Sequence, residues 1–375
     1  MKKKVVVIGA TGNTGAYLTE DLVRNLPTDE YEVFAAGHRK TNFFNRYGIG
    51  YASVDMSDAA TLEALPQEGV YAVVLLAGVL PAYMSGYKPS RYVDVNCRGA
   101  LNVLEYCRKS GADRILYAQT ISDVLGSVTP EDPVIHPYDK RNIIMTGDHT
   151  VYALSKCFAV DLIEHYQAEF GLKGFVFRLP TVYAYTPDET YNVDGVRRTL
   201  GYRLLMDRAM AGEPLEVWGD PTRAKDVVNV KDFCQLLRKA VLVEGVDGGF
   251  FNVGTGVGTT NDEWIRGIAK VFNPEGVKSE IAYRPDMPSG PSYVMDIDNC
   301  RTLLGYEPEY GFIDFLEDFK AEMALDSSRL SSSVLPCLHD TSRRARARRG
   351  RMTCRARSSI PCPSASRRPP PRPRA

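Results

Sequence analysis

The sequence has 375 residues, of which 44% are hydrophobic and 25% charged, a composition that suits a folded chain of one large or two ordinary domains. Its net charge of zero hides an uneven distribution, because residues 327–375 hold thirteen arginines and one acid, Asp340, and the preceding part is therefore acidic. This acidity argues against nucleic-acid binding by the body, the scattered cysteines and histidines argue against a metal site, and no apolar run approaches the length of a membrane span. We therefore predict a cytoplasmic protein without a metal.

Short apolar runs rich in β-branched residues alternate with longer helical patterns in the first 180 residues. The runs are continuously apolar, as expected of parallel strands that are covered on both faces. The predicted strands are Val5–Ile8, Val33–Ala36, Val70–Leu76, Ile115–Ala118 and Phe175–Phe177, and the predicted helices are Gly15–Leu26, Gly99–Ser110 and Val151–Phe170. This βαβ rhythm predicts an α/β fold with a doubly wound parallel sheet.

From about residue 181 this rhythm loosens. Helical patterns near 197–212, 231–243 and 261–272 lie beside two turn-rich segments, AYTPDETYNVDG and RPDMPSGPSY. We predict that residues 1–180 form the sheet domain, which some elements of 181–260 join. Residues 181–326 are predicted to form mainly a smaller α/β lobe at the carboxyl ends of the strands, where ligands bind in such folds.

Residues 327–375 differ in kind, since they contain Arg, Ser and Pro runs without apolar periodicity. We predict that this tail is disordered. One interpretation is a basic tail for anionic partners. The other is a read-through or frameshifted end, which the absence of lysine beside thirteen arginines favours.

Glycines mark the turn after the first predicted strand, in VVVIGATGNTGAYL. Gly9, Gly12 and Gly15 permit a tight turn, close approach of a pyrophosphate and packing of the next helix, whose N-terminal N–H groups attract phosphate. We predict a dinucleotide site here; the alternative is a tight turn without a ligand. The predicted contacts in this loop also include Thr11, Asn13 and Thr14.

The end of the second predicted strand bears on the choice between NAD and NADP. An acid at this position would bond the ribose hydroxyls of NAD, but the sequence reads AAGHRK, with His38, Arg39 and Lys40. Such cations would accept a 2′-phosphate, so NADP is favoured over NAD. A solvated basic turn is the alternative.

The stretch VYALSK places Tyr152 four residues before Lys156. In a chain with 21 tyrosines such a spacing arises by chance. By itself it therefore indicates only two side chains on one face of a helix. Its meaning depends on the motifs around it.

Taken in order, the motifs resemble the extended short-chain dehydrogenases/reductases, and among them the NAD-dependent epimerase/dehydratase family, which acts mainly on nucleotide sugars. The resemblance covers roughly residues 3–325 and includes GATGNTG, VDMSD, VNCRGALNVLE, YALSK, RLPTVYA, FNVGTG and RPDMP. It implies a Rossmann-type sheet that binds NAD or NADP. Besides the glycine loop, the cofactor contacts that it implies are His38, Arg39, Lys40, Asp55, Met56, Leu76, Ala77, Gly78, Asn96, Tyr152, Lys156 and Pro180.

The resemblance also assigns the chemistry to Tyr152 and Lys156, assisted by a hydroxyl at the end of the strand Ile115–Ala118. A free tyrosine has a pKa of about 10 and is a poor base at neutral pH. We expect the Lys156 ammonium and the oxidised cofactor to lower that pKa. Thr120 matches the hydroxyl position, and Ser122 is its rival because the stretch up to Gly126 has one extra residue.

For the substrate, the resemblance implies contacts from Thr120, Thr181, Arg223, Lys225 and Arg284. Arg284, in RPDMP, matches an arginine that holds the diphosphate of a nucleotide sugar. Thr181 stands where many epimerases have Asn, and Lys225 stands where Arg is usual, although only Arg can grip phosphate with two parallel bonds. Arg223 could compensate, or could belong to an exposed basic turn.

We predict an NAD(P)-dependent epimerase or oxidoreductase of nucleotide sugars. Dehydration is disfavoured because dehydratases of this family carry an Asp-Glu pair directly after the threonine, whereas this chain reads TISDVLG, in which Asp123 is alone and out of place. One alternative is an NADPH-dependent ketone or aldehyde reductase for a substrate without a diphosphate; another is a non-enzymatic dinucleotide sensor, which the Tyr–Lys pair disfavours. The resemblance implies a homodimer formed by the Gly99–Ser110 and Tyr152 helices, although an intramolecular core would explain their apolar residues equally well.

Overall fold

The computed structural model describes residues 2–193 and 196–331 of the chain. The tail predicted to be disordered lies outside the described residues from 332 onward. Its predicted boundary at residue 326 falls inside a helix, Phe312–Ser331, so the ordered body extends further than the sequence indicated.

Strands in the described residues fall into one large sheet and five two-stranded ladders. In chain order they are β1 (Lys3–Ile8), β2 (Tyr31–Gly37), β3 (Gly50–Ser53), β4 (Val70–Leu75), β5 (Arg114–Thr120), β6 (Val134–Ile135), β7 (Lys173–Leu179), β8 (Val182–Tyr183), β9 (Thr190–Val193), β10 (Val196–Thr199), β11 (Leu215–Trp218), β12 (Ala224–Asp226), β13 (Val228–Asn229), β14 (Gly248–Asn252), β15 (Gly258–Thr260), β16 (Ile281–Arg284) and β17 (Val294–Met295). The large sheet has the order β14-β7-β5-β4-β1-β2-β3, and all of its pairings are parallel.

Helices connect and cover these strands. They are α1 (Asn13–Asn25), α2 (Pro89–Arg91), α3 (Gly99–Ser110), α4 (His149–Phe170), α5 (Gly201–Met210), α6 (Val230–Leu242), α7 (Asn261–Phe272), α8 (Asp298–Leu304) and α9 (Phe312–Ser331). A π-helical turn, Tyr92–Arg98, leads into α3. In the described part of the chain, no helix combines the length and apolarity that a membrane span requires.

Successive residues of the strands face two different apolar cores, one on each side of the sheet. Val5 and Val7 belong to a core shared with α1 and α6, whereas Val6 and Ile8 belong to a core shared with α3 and α4. Burial on both faces explains why these strands are continuously apolar. The predicted doubly wound parallel sheet is confirmed.

Two strands of this sheet have no counterpart among the predicted runs. β3 is short, and β14 begins with Gly248 and Gly249, residues that weaken a strand signal. β14 comes from the second half of the chain and pairs with β7. The division at residue 180 stays a prediction.

A third apolar core lies within the later part of the chain. It is formed by α5, α7 and α9 and the β11–β16 ladder, with Trp264 and Phe315 among its buried residues. The turn-rich segment after Tyr183 contains β9, which pairs with β10 in an antiparallel ladder. The helix predicted over 197–212 therefore begins later, at Gly201, because its first residues belong to β10.

Candidate active site

The side chains predicted to carry the chemistry meet where β5 ends beside α4. Thr120 is the last residue of β5 and is buried. Tyr152, in the first turn of α4, lies close enough to Thr120 for the Thr120 side chain to lower the pKa of its phenol. Lys156 follows one turn later on α4 and is 6% exposed. The structure thus brings the three residues together.

Ser122, the rival hydroxyl, contacts Thr120. Thr120 Oγ1 and Ser122 Oγ lie 3.2 Å apart, at hydrogen-bond distance, and Thr120 Oγ1 accepts from the Ser122 backbone N–H over 3.2 Å. Thr120, and not Ser122, acts on the pKa of Tyr152.

Burial governs the acid–base properties of the pair. Removal from water raises the pKa of Tyr152 to about 12, although the hydrogen bond from Thr120 opposes this rise. Burial also lowers the pKa of Lys156 to about 7, since the ammonium loses solvation. In the protein alone desolvation dominates the pKa of Tyr152, and the lowering expected from the Lys156 ammonium together with the oxidised cofactor stays a prediction.

An aromatic ring, rather than an acid, holds the Lys156 side chain. Its Nζ lies 4.0 Å from the centroid of the Tyr117 ring, on β5. Among the described residues, Lys156 forms no ion pair. The donors of the ammonium thus remain available for a ligand in the cleft.

The side chain of Asn96 connects the loop after β4 to α4, the helix of Tyr152, by hydrogen bonds. Its Oδ1 accepts from the Val79 N–H over 2.8 Å, and its Nδ2 donates to Val79 O over 3.1 Å and to Ser155 Oγ over 3.0 Å. Ser155 Oγ in turn donates to the Tyr152 carbonyl over 2.7 Å. Asn96 lies in the π-helical turn, a feature frequent at functional sites. Its bonds support a positioning role, and the predicted cofactor contact stays a prediction.

The glycine loop forms a narrow cradle between β1 and α1. Gly9 has a φ of +105°, and a Cβ there would lie 2.6 Å from the Ala77 nitrogen. A Cβ on Gly15 would lie 2.1 Å from the Gly9 carbonyl oxygen. The N-cap residue of α1, Gly12, provides no side-chain cap, so the first N–H groups, at Asn13 and beyond, face no competing side-chain acceptor. These features fit a pyrophosphate at the helix N-terminus.

The other predicted contacts of this region surround the cradle. Thr11 packs against the end of β2, since a Cβ on Gly37 would lie 2.4 Å from its Oγ1. Leu76 and Ala77 donate their N–H groups to the Ile8 carbonyl over 2.9 and 3.0 Å. Of the remaining predicted contacts, Thr14 lies in the first turn of α1, Gly78 follows β4, and Pro180 comes directly after β7.

The end of β2 presents exposed cations. His38, Arg39 and Lys40 are all exposed. His38 Nε2 lies 3.7 Å from Asp55 Oδ2, and hydrogen bonds from Ser57 hold the pKa of Asp55 below its ordinary value. The next residue, Met56, is buried, and its carbonyl accepts from Asn102 over 2.9 Å. An anionic group could reach the exposed Arg39 and Lys40 side chains. The carboxylate of Asp55 would repel the same group.

A cleft of about 260 Å³ opens close to Tyr152. Its walls include Met84, Tyr87, Tyr92 and Asp148. The ring of Tyr92, in its wall, is 6.0 Å from the ring of Tyr152 between centroids, so the cleft lies beside Tyr152. Sequence reasoning missed these walls, because neither the tyrosines nor Asp148 lie in a recognisable motif.

The structure engages the candidate substrate residues in different ways. Lys225 donates to the Tyr183 hydroxyl over 3.0 Å, and its Nζ lies 4.4 Å from the centroid of the Trp264 ring. Burial lowers the pKa of Lys225. Thr181 is exposed, and its side chain lies close enough to Tyr293 to oppose the rise in the pKa of that tyrosine on burial.

The two candidate arginines differ in their partners. Nε of Arg223 is buried without a hydrogen-bond partner among the described residues. Arg284 makes two bonds to Asp286, over 3.1 and 3.0 Å, and one to Glu216, over 3.1 Å. The guanidinium of Arg284 is thus balanced by two carboxylates, so a diphosphate at this position would compete with them.

A sequence model of the NAD dependent epimerase/dehydratase family matches residues 5–254. The chain belongs to this family. The match spans the glycine cradle, the Tyr152–Lys156 pair and β14, and it agrees with the resemblance that the motifs indicated.

Individual relatives of this family differ in their names. The chain is 25% identical over 313 residues to a putative GDP-L-fucose synthase 2 from Oryza sativa subsp. japonica, covering 76% of this chain and 85% of that one. It is 24% identical over 321 residues to a putative UDP-glucose 4-epimerase from Methanocaldococcus jannaschii, covering 84% and 96%. Its fold is similar to that of UDP-glucose 4-epimerase from Thermotoga maritima solved with UDP-glucose, with a TM-score of 0.69, 22% identity, and coverage of 86% and 99%.

Within this epimerase/dehydratase fold, Asp123 has a partner that the sequence did not reveal. Its carboxylate accepts from Arg178 Nε over 2.9 Å, and both side chains are almost fully buried. Arg178 Nη1 also donates to the carbonyls of His136 and Pro137 and to Asn252 Oδ1. Because Arg178 engages it, Asp123 is not a free acid. A buried arginine in a β-strand is the one signal that could have suggested such a partner.

Proposed function

We propose that the chain is an NAD(P)-dependent enzyme that moves hydride to and from a carbinol carbon of a nucleotide sugar, most simply as an epimerase. The observation that carries this proposal is the proximity of Tyr152 to Thr120, with Lys156 one helical turn further along α4. When bound, the nicotinamide ring accepts and returns the hydride. The family supplies the general class, and the substrate is part of the proposal.

In the proposed reaction Tyr152 transfers the proton. Its phenolate accepts the proton of the substrate hydroxyl as the carbon is oxidised, and the same oxygen returns it when the ketone is reduced. Thr120 donates to the substrate oxygen or to the Tyr152 oxygen, which holds both in line. Lys156 bonds the nicotinamide ribose and, when protonated, stabilises the phenolate. The raised pKa of Tyr152 means that this help is needed at neutral pH.

The cleft beside Tyr152 is the proposed sugar site. Aromatic and methionine walls suit the apolar faces of a sugar ring, and Asp148 can accept bonds from its hydroxyls. The Tyr92 ring, which lies close to Tyr152, would guide the reacting carbon toward it.

Incubation of the protein with UDP-glucose or UDP-galactose, with product separation by ion-exchange chromatography, tests the epimerase. We expect interconversion without net change in absorbance at 340 nm, since hydride returns to the substrate. Saturation with dinucleotide but no turnover of UDP-, dTDP- or GDP-sugars, alcohols or ketones would instead support the dinucleotide sensor.

For the cofactor, we propose NADP as the preferred dinucleotide. The exposed side chains of Arg39 and Lys40 follow β2, where the 2′-position would lie. Asp55 opposes this preference, because its carboxylate lies next to His38 and would repel a 2′-phosphate. Calorimetric titration with NAD and NADP decides the matter: a lower Kd for NADP supports the proposal, and a lower Kd for NAD contradicts it.

One observation favours a second candidate, a reductase for a substrate without a diphosphate. Arg284 is already neutralised by Asp286 and Glu216, and Lys225 is occupied by Tyr183 and Trp264. Titration of UDP into Arg284→Gln separates the candidates. At least tenfold weaker binding, with no change in the matched variant Arg266→Gln, supports the nucleotide sugar. Equal binding supports the reductase.

We also propose a homodimer through the outer faces of α3 and α4. Leu101 on α3 and Leu154 and Phe158 on α4 are between 39% and 45% exposed. Leu154 and Phe158 are four residues apart and therefore lie on one helix face. Covering this face by a second copy would remove the apolar surface from water.

A further inference from the structure

Tyr117 lies at a point in the site that the proposed reaction leaves without a role. It is 2% exposed and occupies β5, three residues before Thr120. Its hydroxyl donates to the Lys156 carbonyl over a long 3.4 Å. Its ring, however, lies directly against the Lys156 ammonium, with Nζ 4.0 Å from the ring centroid.

This distance is well within the range of a cation–π contact, which is stronger where water is excluded. A carboxylate in the same position would hold the ammonium more tightly, but it would also occupy its N–H donors. An aromatic face attracts the charge without accepting directional bonds. Lys156 can therefore be fixed in place and still offer its hydrogens to a ligand.

We propose that the ring face of Tyr117 positions the ammonium of Lys156, which makes Tyr117 a positioning residue for hydride transfer. The contact itself can be tested in the protein alone. The catalytic consequence rests on the proposed function.

Burial favours the uncharged forms of the other titratable groups near this contact. Burial raises the pKa values of Tyr152, Cys157 and Cys97, which are the titratable groups around Tyr117. Asp123 is close enough to influence Cys157, but it is paired with Arg178. Cys157 acts on the pKa of Lys156 and is present in every variant, so a difference in that pKa between variants reports on the Tyr117 ring.

The test replaces Tyr117 with phenylalanine and, by site-specific incorporation, with pentafluorophenylalanine. Both replacements keep the ring shape and remove the hydroxyl, but fluorination reverses the charge of the ring face. The Lys156 pKa is read by NMR in full-length protein labelled with [ε-¹³C]lysine, with the signal assigned from Lys156→Met. Without the attractive ring the charged form loses stabilisation, so we expect the fluorinated variant to titrate about half a pH unit or more below Tyr117→Phe, which itself matches the wild type.

Equal pKa values of Lys156 in the two variants would overturn the inference, and so would a Tyr117→Phe variant that shifts as far as the fluorinated one, because the hydroxyl would then be responsible. Turnover is measured in parallel, and we expect kcat to fall at least fivefold in the fluorinated variant and to be retained in Tyr117→Phe. A wild-type protein that turns over no substrate would refute the proposed function while leaving the pKa test intact.

Discussion

Asp123 and Arg178 form an ion pair with exposures of 1% and 2% in the interior of the protein, and the carboxylate oxygen and Nε are 2.9 Å apart. Asp123 belongs to the short 3₁₀ turn that Thr120 caps, and Arg178 lies opposite Gln119 in the β5–β7 ladder. The pair therefore fixes the segment that directly follows the Thr120 hydroxyl. Removing one partner of such a buried pair is destabilising, because the charge of the other partner is then neither paired nor solvated by water.

Replacing Arg178 with methionine should destabilise the protein by about 3 to 5 kcal/mol, since Asp123 would be left buried and unpaired. Urea unfolding measures the loss. The matched control is Arg266→Gln, which breaks the exposed Arg266–Asp262 pair and should cost less than about 1 kcal/mol. Equal effects in the two variants would show that burial does not strengthen the first pair.

The depressed pKa of Lys156 predicts a pH-dependent stability. Its value in the folded protein is about 7, against 10.5 ordinarily, so between these limits the unfolded chain binds a proton that the folded chain does not. Stability from this group is thus present at high pH and is lost as pH falls toward 7. Between pH 7 and pH 9, the wild type should gain about 2 kcal/mol relative to Lys156→Met in urea unfolding.

The exposed Lys109, on α3, provides the control for this comparison. Lys109→Met should follow the pH dependence of the wild type. A Lys156→Met variant with an unchanged pH slope would mean that Lys156 titrates normally.

Removing the hydroxyls of Tyr152, Thr120 and Ser122 one at a time should lower kcat to different extents. Tyr152→Phe removes the proton carrier and should lower kcat by about 100-fold or more. Thr120→Val should lower kcat by about tenfold or more, and Thr120→Ser, which keeps the hydroxyl, should lower it far less. Ser122→Ala should lower kcat by less than about threefold, because Thr120, and not Ser122, acts on the pKa of Tyr152. Steady-state kinetics at saturating cofactor measures these effects, with the exposed Tyr138→Phe as control. A larger loss for Ser122→Ala than for Thr120→Val would exchange their roles.

The glycine cradle has no room for a methyl group on Gly15. In Gly15→Ala the Cβ would lie 2.1 Å from the Gly9 carbonyl oxygen, so the loop must move away from the helix N-terminus. We expect dinucleotide binding at least tenfold weaker by calorimetry. Gly201→Ala, with no atom within 4 Å of the added carbon, is the matched control and should bind normally.

The proposed dimer predicts that one charge on α4 changes the mass in solution. Phe158→Glu should give a monomer by light scattering, because a carboxylate cannot be buried without a partner in the covered face. Val257→Glu, at an exposed apolar residue elsewhere, should leave the dimer intact. A monomeric wild type would rule out the interface at once.

Local patterns predicted the sheet and the cradle because each is encoded within a few residues. The apolar run of β1 and the glycines at positions 9, 12 and 15 carry their own signal. Arg284 shows what such patterns omit. Its motif predicts a phosphate ligand, but Glu216, which balances its charge from a neighbouring strand, is 68 residues distant and belongs to no motif.

The Tyr152 pKa shows a second limit of the sequence. The i, i+4 spacing correctly placed Lys156 on the same helix, but the sign of the pKa shift depends on how much water reaches each group. Only the packed structure shows that Lys156 lies against the Tyr117 ring and that desolvation dominates. Local spacing therefore predicts that the two side chains share a helix face without fixing their protonation.

The pairing of β14 with β7 has a consequence for biosynthesis. β7 is complete at Leu179, but its outer neighbour, and Asn252 that bonds Arg178, are translated about seventy residues later. Until β14 is made, β7 lacks this neighbour and Arg178 lacks one of its hydrogen-bond partners. The large sheet can therefore be completed only after β14 has left the ribosome, and an unpaired strand edge is a site of aggregation in the interval.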